Sequence, residues 1–239
     1  RVCSAPHGTG EGRERDGRIQ ERSQGIRMTT ILLVRHGETA WNRSKIFRGT
    51  RDVPLNENGR AQAALLGERL RSRRIDAAYS SPLGRARETA ECALVHRGLA
   101  IASEPRLIDF DYGDWTGLEE VEVARRWPEL FAEWGSNPVS VRPPGGDTLA
   151  ALADRAFECM EELAASHAGQ TIALFAHRVV NKLLMLKALG LGVERFPFIR
   201  QDNVSLNELQ RTEAGYVICT VNDTSHLRED SVELLKEDF

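Results

Sequence analysis

Four apolar residues, Ile31 to Val34, run without a break into Arg35 and His36, in the stretch ILLVRHGETAWN. A second apolar run, TIALFA, ends in the same way, at His177 and Arg178. A guanidinium offers a planar fork of donors that suits an oxyanion. An imidazole that is neutral near pH 7 is a nucleophile or a proton carrier. Two further residues stand at equivalent places. Arg85 follows the run IDAAYSS, in the first turn of the helix after it, and Asp109 follows EPRLI. Taken singly, each has an ordinary reading. His36 would be a capping or core histidine, Arg35 a surface charge and Asp109 a loop acid. In an open parallel sheet, however, ligands bind outside the carboxyl ends of the strands. Four such ends then bring Arg35, Arg85, His36, His177 and Asp109 to one edge, where helix N-termini add amides and a positive dipole. The sum is an anion site with a nucleophile inside it. A metal held by His36, His177 and Asp109 is disfavoured, because Arg35 and Arg85 would set cations beside a cation.

The elements that must position these residues follow from patterning. ILLV, IDAAYSS, IASEPRLID and TIALFA read as strands. NENGRAQAALLGERLRSR reads as a helix capped by Asn56, with Ala63, Leu66 and Leu70 on one face. Ser81 and Pro82 are expected to open the next helix as its cap and first residue. A long helix is expected from about Asp147 to His167, and another from His177. SLNELQRT and GYVICTV form a hairpin around Glu213–Gly215. Residues 110–146 carry three of the four tryptophans and the turn PPGG, and read as short helices inserted over a pocket. The alternation predicts an α/β fold: a three-layer α/β/α sandwich whose central sheet is mainly parallel, with an antiparallel pair from the last strands.

Composition excludes several classes. The 239 residues are 41% hydrophobic and 28% charged, with a net charge of -3, the balance of an ordinary globular chain rather than of a basic nucleic-acid binder. No apolar run approaches the ~18 residues of a membrane span. The four cysteines, Cys3, Cys92, Cys159 and Cys219, have no metal-ligand spacing, and read as buried thiols in a reducing, cytoplasmic compartment. Residues 1–27 are poor in aliphatics and rich in Arg, Glu and Gly. They read as a disordered extension upstream of Met28, with residues 28–239 as the folded domain.

The motifs resemble those of the histidine phosphatase superfamily, in its phosphoglycerate mutase-like branch. LVRHGETAWN is similar to the family signature, SSPLGRARETA to its second arginine motif, and LIDFDYGDWTG to the segment that opens on the acid, with Asp109 where glutamate is more usual. PPGGDTLAALADR resembles the Gly-Gly-Glu-Ser stretch, and IALFAHRVVNKLL carries the second histidine. The likeness covers about residues 29–227. It implies that His36 becomes phosphohistidine, that Arg35, Arg85 and His177 hold the equatorial oxygens, and that Asp109 protonates the leaving alkoxide and then activates water. For that role the Asp109 carboxyl is expected to be raised by partial burial or by phosphate charge. Thr39 and Asn42 are assigned to substrate binding, Asn42 as a neutral donor. No cofactor or metal is implied. The partner is a small phosphomonoester, and the chain is a monomer or a homodimer.

Within the family the chain reads as a phosphatase. From Met28 it is shorter than the mutases it resembles. Arg125-Arg126 followed by Pro128 matches the mutase pattern only in part, and Arg48-Gly49 replaces the mutase Thr-Gly pair. A 2,3-bisphosphoglycerate-dependent mutase is the alternative, and a non-catalytic phosphate-binding protein the alternative of another class. Arg48 and Trp41 are candidate pocket residues. Arg178 stands where the family usually has glycine, and the helix dipole opposes it by about 0.3–1 kcal/mol. Its expected partner is a substrate anion, or an acid such as Asp109 or Asp111.

Overall fold

The structure is a computed structural model that describes residues 28–227. The disordered extension expected for residues 1–27 lies outside the described residues. Six strands form one sheet in the order β3-β2-β4-β1-β5-β6. They are β1 (Thr29–Arg35), β2 (Ala77–Ser80), β3 (Ile101–Ser103), β4 (Thr171–Ala176), β5 (Leu206–Thr212) and β6 (Gly215–Asp223). The pairings β1–β4, β2–β4 and β2–β3 are parallel; β1–β5 and β5–β6 are antiparallel. The expected mixed sheet is therefore the one observed.

β1 and β4 lie at the centre and bury both faces, so they read as unbroken apolar runs. Their alternation still sorts side chains between two cores. Leu32, Val34, Ala173 and Phe175 face Leu66 and Leu70 of α2 (Glu57–Leu70) and Ala90 and Ala93 of α3 (Gly84–Ala93). Ile31, Leu33, Ile172 and Leu174 face α6 (Leu149–Ser166) and α7 (Arg178–Ala188). These are the three expected layers. Asn56 caps α2 as expected, accepting from the Gly59 amide at 2.8 Å.

Two boundaries differ from expectation. The helix after β2 begins at Gly84 with Leu83 as its extended N-cap, not at Ser81-Pro82. The Ser81 hydroxyl is engaged elsewhere, with His177. The strand IASEPRLID stops at Ser103. Glu104 accepts from the Arg106 amide at 3.0 Å, Pro105 has no amide hydrogen to offer a ladder, and the chain winds into a single 3-10 turn over Pro105–Leu107. Asp109 therefore arrives from a loop, not from a strand end.

The insertion comprises a 3-10 turn at Gly113–Trp115 and the short helices α4 (Glu120–Arg126) and α5 (Pro128–Ser136). Phe110, Tyr112, Trp115 and Val123 are buried in the same core as α6 and α7. Gly113, at φ +52°, makes the closest approach. A Cβ there would lie 2.1 Å from the Pro144 carbonyl oxygen, which accepts from the Asp114 amide at 2.8 Å. The PPGG turn is thus stapled to the segment that carries Asp109. Among the described residues no helix is long and apolar enough to cross a membrane.

Candidate active site

His36 follows the last residue of β1, and its amide continues the ladder to the Ala176 carbonyl at 3.0 Å. Its ring is buried, and Nδ1 lies 2.6 Å from the Gly37 carbonyl oxygen. A carbonyl only accepts, so Nδ1 carries the proton and Nε2 keeps its lone pair. Burial comes first among the causes that push the His36 pKa well below the usual imidazole value, followed by the charges of Arg85, His177, Arg35 and Arg48. The imidazole is therefore neutral and nucleophilic at neutral pH.

The turn after His36 is held from three sides. A Cβ on Gly37 would meet the Gly59 carbonyl oxygen at 2.6 Å, and one on Gly59 would meet the Glu38 carbonyl oxygen at 2.2 Å, so two glycines let the signature turn sit on the first turn of α2. Glu38 accepts from Nδ2 of Asn56 and of Asn58 at 2.6 and 3.1 Å, and Thr89 Oγ1 accepts from the Gly37 backbone amide at 3.0 Å. On the other side, Asn203 Nδ2 donates to the His36 carbonyl at 3.0 Å. Next to it Val204 sits at φ +47°, unusual for a β-branched residue. None of these supports stands near the signature in sequence order except Glu38.

The two arginines are buried, yet both are anchored on backbone carbonyls. Arg35 Nη1 donates to Gln201 at 2.6 Å; Arg85 donates to Arg51 and Gly49 at 2.7 and 2.8 Å. Arg85 Nη2 also reaches Asp109 Oδ2 at 3.1 Å. Carbonyl anchors fix the forks without cancelling their charge.

His177 is the N-cap of α7, fully buried, with its ring centroid 5.3 Å from that of His36. Its Nε2 lies 2.8 Å from Ser81 Oγ. The Leu83 amide donates to that hydroxyl at 3.4 Å, and a hydroxyl proton given to Nε2 places the ring proton on Nδ1. Nδ1 in turn faces Asp109 Oδ2 at 3.6 Å. Burial, with Arg85, Arg48 and Arg35, outweighs the pull of Asp109 and pushes the His177 pKa down to about 3. The ring is thus a neutral donor.

Asp109 is buried, and its Oδ1 accepts from the Phe110 amide at 2.9 Å. Its pKa departs from expectation. Burial pushes the carboxyl up, but His177, Arg85, the Phe110 amide and Arg48 together hold it below the ordinary carboxylate value. The expected rise from partial burial is overridden; above about pH 3, where His177 is neutral, Arg85, Arg48 and the Phe110 amide are what hold the carboxyl down.

Above these groups opens a cavity of about 610 Å³, lined by His36, Asp109, Arg48, Gly49, Trp41 and Arg178, with the inserted helix α5 contributing Phe131 and Trp134. Of the residues assigned to substrate binding, Arg48, Gly49 and Arg178 line it. Thr39 and Asn42 are buried beside the signature turn but do not line the cavity. The Thr39 amide and hydroxyl both donate to Asn42 Oδ1 at 2.9 Å, at the start of α1 (Ala40–Arg43). Burial raises the Tyr112 phenol, and the charge of Arg178, which lines the cavity with it, opposes that rise. Sequence reasoning missed Ser81, Tyr112 and Lys182. The first was assigned to a cap; the other two carry no local signal.

The buried neutral histidines have a consequence for stability. The folded pKa of each lies below its unfolded value near 6.5, so between about pH 6.5 and pH 3 the unfolded chain binds more protons. Asp109, also lowered, acts in the same direction at still lower pH. Stability present above pH 6.5 is therefore lost progressively on acidification. The melting temperature should fall steadily from pH 6.5 towards pH 4, and His36→Asn/His177→Asn should flatten that slope. An unchanged slope in the double variant would refute this account.

The family model described as histidine phosphatase superfamily (branch 1) matches residues 31–224. "Phosphoserine phosphatase 1" of Hydrogenobacter thermophilus is 34% identical over 209 residues, covering 87% of this chain and 99% of the relative. "Probable phosphoglycerate mutase GpmB" of Yersinia pestis is 31% identical over 218 residues, covering 87% and 100%. Among solved structures, Bacillus stearothermophilus YhfR superposes with a TM-score of 0.80 at 31% identity, over 83% of this chain and 98% of that one.

Proposed function

Since the chain belongs to the histidine phosphatase superfamily, branch 1, we propose that it hydrolyses small phosphomonoesters through a phosphohistidine on His36. The observation that carries this reading is the state of His36: a neutral imidazole with Nδ1 tied to Gly37, buried between anchored arginines at the floor of a cavity.

The Nε2 lone pair attacks phosphorus, and the bond from phosphorus to the ester oxygen breaks. Arg35, Arg85 and His177 meet the equatorial oxygens, where charge spreads in the transition state. Arg85 Nε and His177 Nδ1, buried donors with no hydrogen-bond partner among the described residues, suit that task. Asp109, protonated once the phosphate's charge arrives, gives its proton to the departing alkoxide. The resulting carboxylate then takes a proton from water as the water oxygen attacks phosphorus. The P–N bond breaks, its electron pair returns to Nε2, and inorganic phosphate leaves. No step requires a metal.

Hydrolysis is favoured over mutase chemistry by one further observation. Arg125 and Arg126, the partial match to the mutase pattern, both pair with Glu122 on the outside of α4, at 2.8 and 2.5 Å. The test is a panel of phosphomonoesters, with phosphoserine included because one relative bears its name, scored for phosphate release. Interconversion of 3- and 2-phosphoglycerate primed with 2,3-bisphosphoglycerate is measured in parallel. Release without interconversion is expected. Interconversion at a rate above release would establish the mutase, and neither would leave the phosphate-binding alternative. The chain is proposed to act in the cytoplasm, as a monomer or a homodimer.

A further inference from the structure

Asn207 stands inside a core strand, yet it is polar and fully buried. It lies in β5 opposite Leu33, which precedes Arg35 by two residues in β1. A buried amide is costly unless its donors and its acceptor are engaged. Here they are. Nδ2 donates to the Leu33 carbonyl at 3.1 Å and to Gln201 Oε1 at 2.8 Å. Oδ1 accepts from Gln201 Nε2 at 2.7 Å and from the Asn222 backbone amide at 2.8 Å. Gln201, also buried, thus pairs with Asn207 through two reciprocal bonds, and its Oε1 accepts from Ser205 Oγ at 3.3 Å as well.

What the pair holds is a loop. Residues 199–205 lead into β5 and carry the Gln201 backbone carbonyl, one of the groups that place Arg35, which accepts from Arg35 Nη1 at 2.6 Å. The same loop reaches the His36 carbonyl through Asn203. A second tie comes from β6. Asn222 stands at φ +52°, a conformation that asparagine tolerates. Its Oδ1 accepts from the Asp202 amide at 2.7 Å, and its Nδ2 donates to Asp202 Oδ2 at 2.8 Å. A buried polar network satisfied in this way fixes one geometry, where apolar contacts alone would admit several.

We propose that the Gln201–Asn207 pair is a positioning device for the reaction. It fixes the Gln201 backbone carbonyl, and through it the Arg35 guanidinium, against the phosphoryl group in flight to His36. The proposal rests on the phosphatase reading above and adds the residues that set one arginine's place. Neither side chain lines the cavity, so the effect passes through Arg35.

The experiment is a double-mutant cycle with nitrophenyl phosphate as substrate. Gln201→Met keeps the backbone carbonyl and the length of the side chain but removes the pair. It should lower kcat by about 10- to 100-fold, the scale of a misplacement of about 1 Å, and change KM by less than about threefold. Inhibition by orthovanadate, a mimic of the transferring phosphoryl group, should weaken by about the factor lost in kcat. In the Arg35→Ala background the same substitution should change kcat by less than about twofold, because the group it positions is already gone. A merely structural pair would give the same factor in both backgrounds, and that result overturns the inference. So does a Gln201→Met enzyme with the kcat of the wild type. Asn207→Ser goes through the same cycle if Gln201→Met does not melt cooperatively. If neither variant folds, the pair is a requirement of the fold itself and the inference falls. Each of these outcomes leaves the phosphatase reading standing; no phosphate release by the wild type removes both.

Discussion

Replacing His36 by alanine lowers kcat with a chromogenic phosphomonoester by about 10⁴-fold or more, the scale on which removal of a covalent nucleophile acts. The size follows from geometry. His36 is the imidazole whose Nδ1 is locked by a carbonyl and whose Nε2 keeps its lone pair at the cavity floor. His177, the other buried imidazole, has its Nε2 on Ser81 and its Nδ1 towards Asp109, so it cannot take over the attack. Two readouts separate a lost nucleophile from a lost fold. The melting temperature should stay near that of the wild type, since β1 and its ladders do not depend on the ring. An acid-labile phosphoryl label, trapped on rapid quenching of the wild type, should be missing from the variant. Equal phosphate release by the two proteins would refute covalent catalysis on His36.

Asp109→Asn slows turnover in proportion to how badly the leaving group needs a proton. With an alkyl phosphate the loss should be about 10²–10⁴-fold, the usual worth of general acid catalysis. With nitrophenyl phosphate, whose leaving group is stable as an anion, it should be about tenfold or less. A plot of log kcat against leaving-group pKa should therefore be steeper for the variant, and parallel plots would rule out proton donation by Asp109. The variant is expected to fold, because Arg85 stays anchored on the Gly49 and Arg51 carbonyls. The pH profile carries a sign as well. Arg85, Arg48 and the Phe110 amide keep the carboxyl ionised in the free site at neutral pH, so the proton must accompany the phosphate, whose second ionisation lies near pH 6. Activity on alkyl esters should rise as pH falls from 8 towards about 6. It should persist below 6.5, because the His36 pKa lies well under that of a free imidazole.

The identity of the reacting groups was legible because they stand in short motifs at element ends. ILLV-RH and TIALFA-H show a strand and its terminal chemistry in one glance, and Asn56 announces the start of α2 by residue type alone. The errors arose where a side chain had a distant partner. Ser81-Pro82 has the look of a helix start, but its hydroxyl serves His177, 96 residues on. IASEPRLID looks extended, but Glu104 and Pro105 turn it after Ser103. Asp109 was expected to be lifted by burial or by phosphate charge. In the free site burial is outweighed, and the pKa is held down by Arg85 and Arg48, which reach it from two other segments.

The sequence by itself determined the sheet, its layers and the nature of the five polar groups at its edge. Those depend on hydrophobic periodicity and on residue types next to one another in the chain. The tertiary structure alone decided how each imidazole is hydrogen-bonded, how the buried arginines are anchored, and that Arg178 lines the cavity with Tyr112. Those properties depend on hydrogen bonds and fields that act over a few ångströms between segments tens to more than a hundred residues apart. No local pattern can encode such distances, and folding is what creates them.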